Sequence, residues 1–284
     1  PVGGQSIYCA NNFSPEILLK NNSTTVPLTS CTITFSIDGG TPQVYAWSGT
    51  IAAGATATVS LPTQTVLVGN HTLTIVTSLP NGNNDYNVNN DAAMYPFAVV
   101  TAPGSLIPYV QGFGTANFPY NNWGLENPDA DTTWVHTTIN GGCLKYSSFD
   151  YARIGEKDAF TIEPLDLSVI GPTMLYFDVA YAPFNAYFFE SLEVMISTDC
   201  GLSWTTVWSE TGSQLATVPA MTTAFTPLSS FDWQPESVNI SSYTGNSRVF
   251  VKFVVTNGFG NNLYIDNLSV STTTSIIGGE SEAF

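Results

Sequence analysis

The feature of this sequence that most restricts its fold is the spacing of its apolar residues, which recur in short runs and not at helical intervals. No segment carries apolar residues at positions i, i+3, i+4 and i+7 over three turns, as an amphipathic helix requires. Short stretches rich in β-branched and aromatic residues recur instead, separated by Gly, Asn, Asp and Pro. The pattern therefore predicts an all-β chain.

The first hundred residues contain the clearest of these stretches. Residues 31–37, CTITFSI, alternate between polar and apolar side chains before a turn at Asp38-Gly39-Gly40. Further stretches of this kind lie at 17–19, 44–47, 56–61, 71–78 and 92–100. So many short strands within about 100 residues indicate an antiparallel, Ig-like β-sandwich, which we assign to residues 1–103.

A boundary between two domains is predicted near residue 104, where Pro103, Gly104 and Pro108 interrupt the strand pattern. Strands are then predicted at 174–180, 191–197, 204–209, 237–240, 248–256 and 262–270. Their number and the length of the segment fit a two-sheet jelly-roll β-sandwich over residues 104–272. The polar, Gly- and Glu-rich residues 273–284 are predicted to be a linker.

The charge balance excludes some classes of partner. The chain has 22 acidic and six basic residues and a net charge of −16. Nucleic-acid binders need clustered Lys and Arg, so no nucleic-acid partner is expected, and an anionic membrane is an equally poor partner. The acidic surface serves solubility alone or also attracts divalent cations. No run of 18 apolar residues is present, so no transmembrane segment is predicted, and the opening residues PVGGQS suggest a piece of a longer or processed polypeptide.

Four cysteines allow three disulfide pairings. Two lie in each half of the chain, which favours Cys9–Cys31 and Cys143–Cys200. An even cysteine count with few lysines predicts an oxidising location, extracellular or at the cell surface. The alternative is four buried free thiols. Without a CxxC motif and with only two histidines, a zinc site is not expected.

No catalytic residues are predicted. The chain has no HExxH motif, no GxSxG motif and no phosphate-binding glycine loop after a strand. His71 and His136 lie in predicted strands and are interpreted as structural. A glycosidase would need two carboxylates at a set separation, and no local pattern singles out a pair.

Two loops are candidates for binding. Residues 126–131, ENPDAD, place the carboxylates of Asp129 and Asp131 at alternate positions, as calcium loops do, although an ordinary Asn/Pro/Asp turn has the same composition. Residues 180–191, AYAPFNAYFFES, crowd five aromatic rings into one predicted hairpin loop. Such a loop is a candidate contact surface, and the alternative is that its rings cover the end of the core.

Asp266 raises a separate question, because it lies in the last predicted strand, GNNLYIDNLSV. Strict alternation puts Asp266 on a mostly apolar face with Tyr264 and Leu268. A buried carboxylate is usually paired, hydrogen-bonded or bound to a metal. We therefore expect Asp266 to be bound to a metal ion or to tie the last strand to a loop by hydrogen bonds.

Two stretches carry a resemblance to known families. Residues 1–100, through LLKNNSTTVPLTSCTITFSIDGGTPQVYAWSG, resemble the Ig-like modules of secreted multidomain bacterial proteins. Residues 106–270 resemble the MAM-like, peptidase-associated jelly roll, akin to the cleaved-adhesin domains of gingipains. The matching pieces are NNWGLENPDADTTW, CLKYSSFDY, KDAFTIEPLDLS, SLEVMISTDCGLSWTTVW and YIDNLSV.

This resemblance implies a structural calcium ion in the jelly roll. Carried over by position, its ligands are Asp129 and Asp131 of the acidic loop, Asp158 of KDAF and Asp266 of the last strand. Gln111 stands where the family often has Glu, which removes one charge from the site.

The resemblance also implies a function. Such tandems usually follow a catalytic domain, often a pappalysin-like metalloprotease, or belong to surface adhesins, and they usually precede a sorting signal for type IX secretion. We therefore expect a non-catalytic, secreted or cell-surface module pair with an adhesion or accessory role and an extracellular protein or glycan as ligand. One alternative is a carbohydrate-binding module with Tyr187, Phe188 and Trp123 as sugar platforms. Another is the C-terminal accessory region of a secreted metalloprotease.

Overall fold

The computed structural model describes residues 6–168 and 171–272, and the predicted linker 273–284 lies outside them. The described chain consists of β-strands and short 3-10 turns and forms two β-sandwiches, which confirms the predicted all-β fold class. The turns are Pro80–Gly82, Val88–Asn90, Ile139–Gly141, Ser230–Asp232 and Ser241–Tyr243. Within the described ranges, no helix is long and apolar enough to span a membrane.

The first sandwich contains the strands β1 to β9. They are β1 (Ile7–Tyr8), β2 (Asn12–Phe13), β3 (Glu16–Lys20), β4 (Leu28–Ile37), β5 (Gln43–Ile51), β6 (Thr56–Ser60), β7 (Gln64–Thr65), β8 (Gly69–Ser78) and β9 (Ala92–Val99). A five-stranded sheet has the order β1-β9-β8-β4-β5, while β3 pairs with β6 and β2 with β7. The predicted alternation holds in β4, where Cys31, Ile33 and Phe35 point into the core and pack with Ile17 and Ile75.

The second sandwich contains the strands β10 to β22. They are β10 (Ser105–Leu106), β11 (Tyr109–Gln111), β12 (Gly124–Glu126), β13 (Trp134–Thr137), β14 (Cys143–Tyr146), β15 (Lys157–Thr161), β16 (Leu165–Leu167), β17 (Thr173–Tyr181), β18 (Ser191–Ser197), β19 (Thr205–Thr211), β20 (Gln234–Asn239), β21 (Asn246–Thr256) and β22 (Leu263–Thr272). In one sheet β21 pairs with β18, β15 and β16, beyond which lie β19, β12 and β10. The other sheet has the order β13-β14-β22-β17-β20, and β11 also pairs with β22.

Covalent and polar contacts join the two sandwiches. Cys9, just after β1, forms a disulfide with Cys200 in the loop between β18 and β19. The Lys252 ammonium lies 3.3 Å from both carboxylate oxygens of Glu126, and Ser6 Oγ donates to Glu126 Oε1 over 3.1 Å. The first sandwich is thereby held against the β12 and β21 side of the second.

The predicted pairings Cys9–Cys31 and Cys143–Cys200 are wrong. The bridge observed is Cys9–Cys200, and the other two thiols are free and buried. Cys31 belongs to the core of the first sandwich, whereas Cys143 packs against Tyr264 in the second. The prediction assumed that each bridge stays within one half of the chain, but the accessible cysteines are the two at the contact between the sandwiches.

We expect two free thiols per chain when the protein is unfolded without reductant. Burial raises the pKa of Cys31 to about 11 and that of Cys143 to about 12, so both thiols should react slowly in the folded protein at pH 8. Titration with a chromogenic disulfide in the presence and absence of guanidinium measures both states. A count of four thiols in guanidinium would contradict the Cys9–Cys200 bridge, and a count of zero would contradict the free thiols of Cys31 and Cys143.

Candidate binding site at the loop end of the second sandwich

A buried carboxylate organises one end of the second sandwich. Glu190, just before β18, is fully buried, and its two oxygens accept five hydrogen bonds. Oε1 accepts from Ser148 Oγ and from the backbone N–H groups of Gly260 at 2.8 Å and Gly258 at 3.4 Å. Oε2 accepts from Tyr181 Oη at 2.6 Å and from Asn261 N at 2.9 Å. A buried charge is tolerated when donors surround it in this way.

Two glycines allow the backbone to approach this carboxylate. A Cβ on Gly260 would overlap Glu190 Oε2, and a Cβ on Gly258 would overlap the carbonyl oxygen of Phe189. Close packing therefore requires glycine at positions 258 and 260. Sequence reasoning missed Glu190, since all its partners except Tyr181 lie more than forty residues away along the chain; the Gly-Phe-Gly-Asn-Asn run was the available signal.

Three asparagines tie neighbouring loops to the same centre. Asn257 Nδ2 donates to the carbonyls of Tyr151 and Arg153 over 2.8 and 2.9 Å. Asn261 Nδ2 donates to the carbonyls of Met221 and Thr223 over 3.1 and 2.9 Å. Asn262 Nδ2 donates to the Phe225 carbonyl over 3.1 Å, and its Oδ1 accepts from Phe149 N. The loops around residues 150, 223 and 259 are therefore held in one arrangement, and a backbone bond from Met221 N to the Pro183 carbonyl joins the loop around residue 187 to them.

Aromatic rings line the outside of this loop cluster. The ring centroids of Phe149 and Phe184 are 6.2 Å apart, those of Phe184 and Phe188 6.4 Å, and those of Phe188 and Phe259 5.8 Å. Tyr187, at the tip of the same loop, is 86% exposed. Of the two alternatives for this stretch, exposure holds for Tyr187 and for Phe188, which is 36% exposed, whereas Tyr181 is fully buried and belongs to the core. These rings form a surface that a ligand can contact.

A groove of about 600 Å³ lies beside the aromatic loop. Its walls come from the loop before β18 and from the segment that follows β19. The lining residues are Pro183, Asn185, Ala186, Phe189, Thr211, Gly212, Ser213, Gln214, Ala216, Val218, Pro219 and Ala220. Backbone bonds fix both walls: Gly212 N donates to the Glu190 carbonyl and Met221 N to the Pro183 carbonyl.

The prediction of Trp123 as a sugar platform is wrong. Trp123 is only 2% exposed, and its ring stacks on Phe160 with centroids 5.6 Å apart and an interplanar angle of 13°. It completes an aromatic core together with Phe118 and Tyr120. The indole is therefore unable to meet a ligand.

The predicted acidic loop is held by a cation from the protein itself. Arg153 Nε lies 3.4 Å from Asp129 Oδ2 and 3.5 Å from Asp131 Oδ2. The Tyr151 hydroxyl donates to Asp129, and Asn127 closes the turn by donating to the Asp131 carbonyl over 3.1 Å. The Arg153 guanidinium thus offsets part of the negative charge of the two carboxylates, and the Asp129 carboxylate is also hydrogen-bonded within the chain.

Asp158 is buried close to this loop. It lies on β15, is 1% exposed, and accepts a hydrogen bond from Tyr146 Oη at its Oδ2 over 3.0 Å. Within residues 6–168 and 171–272 its Oδ1 has no hydrogen-bond partner, and neither does the buried Thr133 Oγ1. Burial raises the pKa of Asp158 to about 7, although the nearby hydroxyls of Thr133 and Tyr146 lower it, and Asp129 adds to the rise.

A β-bulge explains the position of Asp266. Asn267 has a φ of 50°, so Asp266 and Asn267 both lie outside the core, while Ile265 and Leu268 on either side are core residues. Strict alternation, which grouped Asp266 with Leu268, was therefore wrong. Asp266 Oδ2 accepts from Asn140 Nδ2 over 2.8 Å and Oδ1 from Asn267 N over 2.7 Å. Burial raises its pKa, and these two hydrogen bonds lower it.

The structure does not assemble the five predicted calcium ligands into one site. Asp158 belongs to the inward-facing positions of β15, and Asp266 lies on the outer face of the opposite sheet. Gln111 pairs with Leu268, which places it on the inner face of that sheet. Across residues 6–168 and 171–272, no group of three His, Cys, Asp or Glu side chains is placed to hold a metal ion. Asp266 takes the hydrogen-bonding role that was the alternative.

Comparison with known proteins finds distant structural likenesses. No protein-family model matches the chain, and no curated protein matches it significantly. The K1 cleaved-adhesin domain of Lys-gingipain from Porphyromonas gingivalis W83 is 15% identical, with a TM-score of 0.41 over 58% of this chain and 98% of that domain.

Carbohydrate-binding modules show a similarly low degree of structural likeness to this chain. One, from the β-sandwich superfamily, is 12% identical, with a TM-score of 0.36 over 93% of this chain and 99% of its own. Another, TmCBM61 in complex with β-1,4-galactotriose, is 16% identical, with a TM-score of 0.36 over 57% of this chain and 94% of its own. At these values the likenesses assign neither a family nor a ligand to the chain.

Proposed function

We propose that this chain is a non-catalytic, extracellular or surface-exposed binding module, and that its ligand contacts the aromatic loop end of the second sandwich. The observation that carries the proposal is the set of five hydrogen bonds on Glu190, which holds the loops bearing Tyr187 and Phe188 in a fixed arrangement. A preformed site loses less entropy when it binds. The disulfide Cys9–Cys200 supports an oxidising, extracellular location.

The chemistry of the site supports binding rather than catalysis. A general base must reach the proton that it removes, directly or through one water. Glu190, the carboxylate at the centre of the site, is fully buried and its oxygens are occupied by five donors. It therefore serves as a structural anchor, and the groups that face solvent are aromatic rings, amides and hydroxyls.

The test is a binding assay of the Tyr187→Ala/Phe188→Ala double variant. We expect at least a tenfold loss of binding to the extracellular glycan or protein that an array identifies, because exposed aromatic anchors dominate interface energies. Leu67→Ala, which removes an 81% exposed side chain from the first sandwich, is the matched control and should bind normally. Unchanged binding by the double variant, or hydrolysis of protein or glycan by the purified chain, would contradict the proposal.

We also propose that calcium binds at the Asp129 loop and not at Asp266. Asp129 and Asp131 supply two carboxylates, and backbone carbonyls and waters would complete the set of oxygen ligands that calcium prefers. The guanidinium of Arg153 lies beside the carboxylates of Asp129 and Asp131, so a calcium ion must displace it.

Thermal unfolding in excess calcium and in chelator tests this second proposal. Calcium at about 1,000-fold over its Kd should stabilise the wild type by about 4 kcal/mol. The shift should vanish in Asp129→Ala and persist in Asp266→Ala, since Asp266 lies on the outer face of the other sheet. An identical midpoint in calcium and chelator for the wild type would show that Arg153 alone neutralises the loop.

A further inference from the structure

We infer that the ligand of the loop-end groove is a neutral oligosaccharide. This inference rests on the proposed binding function and names the ligand class for the same site. The groove of about 600 Å³ lies between residues 183–189 and 211–220, with the exposed Tyr187 ring in the same loop as its first wall. That volume is in the range of small-ligand sites and accommodates a short segment of a sugar chain.

The absence of charge on the groove walls selects a neutral ligand. None of the twelve residues that line the groove carries a charge, in a chain that has 22 acidic side chains. The net charge of −16 repels anionic glycans before they reach the site. A cationic ligand would lose its hydration in the groove without gaining a carboxylate partner, because the Glu190 carboxylate below is buried and saturated with donors.

Several polar groups of the groove have hydrogen-bond donors or acceptors that a ligand can use. Asn185 Oδ1 accepts from Tyr187 N and Phe188 N over 2.7 and 2.9 Å, which fixes the amide and leaves its Nδ2 without a partner among the described residues. The side chains of Ser213 and Gln214 are exposed and make no hydrogen bond within the described protein. Amides and hydroxyls both donate and accept, as sugar hydroxyls require.

The remaining walls suit the C–H faces of a pyranose ring. Pro183, Pro219, Ala216 and Val218 provide apolar surface without long flexible side chains. The backbone N–H of Tyr187 donates to Asn185 Oδ1, which fixes the backbone that carries the ring, and the ring itself is exposed to solvent. An aromatic ring with an apolar face and a polar edge offers contact area at low cost in conformational entropy.

A peptide ligand is less well matched to this groove. Extended peptides are usually recognised by pairing with the edge of a sheet. Apart from Thr211, the last residue of β19, the lining residues lie outside the strands. The groove therefore offers side-chain and loop contacts but no strand edge along which a peptide backbone can pair.

The experiment is isothermal titration of the intact chain with oligosaccharides of matched length. The neutral probes are gluco-, manno-, galacto- and xylotetraose, the acidic probe is tetragalacturonate, and a library of tetrapeptides represents protein ligands. We expect at least one neutral tetrasaccharide to bind, with at least a tenfold loss in Tyr187→Ala and in Gln214→Ala. Leu228→Ala, which truncates a 90% exposed side chain outside the groove lining, should bind like the wild type.

The outcomes separate the ligand class from the site. Binding of tetragalacturonate or of peptides alone, weakened by Tyr187→Ala, would overturn the neutral-sugar inference and keep the proposed binding function. Binding of a neutral sugar that is unaffected by Tyr187→Ala and Gln214→Ala would overturn both. Failure of all four neutral probes to bind also overturns the inference, and the proposed function is then decided by the array assay with the Tyr187→Ala/Phe188→Ala variant.

Discussion

Replacing Glu190 with Gln should destabilise the second sandwich by about 3–5 kcal/mol and abolish ligand binding. The amide keeps the shape of the carboxylate, but its NH₂ group must face donors. Whichever way the amide turns, either Gly258 N and Gly260 N or Asn261 N and Tyr181 Oη lose their acceptor. Each buried donor left unsatisfied costs about 1–3 kcal/mol, which accounts for the expected total.

Urea unfolding of Glu190→Gln beside Glu193→Gln measures this effect. Glu193 lies on the adjacent strand β18 and forms a partly exposed ion pair with Lys157, with Nζ 3.6 Å from Oε2. An exposed pair contributes about 0–1 kcal/mol, so the control should stay close to the wild type. Hydrogen exchange should also accelerate at residues 258–261 in Glu190→Gln. A loss below about 1 kcal/mol in Glu190→Gln, against the 3–5 expected, would show that the carboxylate is not the anchor of the loops.

The fold class was predictable because strand periodicity is a local property. In β4 the sequence CTITFSI is sufficient to place Ile33 and Phe35 in the core. The last strand shows the limit of this rule, since one bulge residue, Asn267, reverses the faces of all that follow. Asn tolerates positive φ better than most residues, so the Asp-Asn pair at 266–267 was a weak local signal.

The disulfide and the anchor were not predictable because they depend on contacts between distant segments. Cys9 and Cys200 are 191 residues apart and meet only because the two sandwiches pack against each other. Glu190 likewise depends on Ser148 and Gly260, which reach it from opposite directions along the chain. The exposed aromatic loop was predictable, in contrast, since a run of rings next to Pro and Asn is visible in the sequence itself.

Replacing Asp158 with Asn should stabilise the protein at pH 8 and have little effect at pH 4. The pKa of Asp158 is raised to about 7 by burial, so the folded state holds its proton more tightly than the unfolded state does. The resulting stability is fully present below the unfolded pKa of about 4 and is lost as pH rises through 7. A difference of about three pH units corresponds to about 4 kcal/mol.

In the Asp158→Asn variant, the new amide group has hydrogen-bond partners nearby. Its Oδ1 can accept from Tyr146 Oη, and its Nδ2 can donate to Thr133 Oγ1, which has no partner now. Asp199→Asn is a control of opposite sign, because hydrogen bonds from Ser203 and Ser197 lower the pKa of Asp199 to about 2. The stability contributed by Asp199 is present above the unfolded pKa and lost as pH falls through 2, so its variant should lose stability at pH 8.

Urea midpoints of the wild type and both variants at pH 4, 6 and 8, all in chelator, test these pH dependences of stability. We expect the Asp158→Asn curve to meet the wild type near pH 4, to lie above it at pH 6 and to lie furthest above it at pH 8, whereas the Asp199→Asn curve should lie below the wild type. Parallel pH profiles for the wild type and Asp158→Asn in chelator would show that Asp158 is already ionised, and that its unpartnered Oδ1 is solvated and not buried dry.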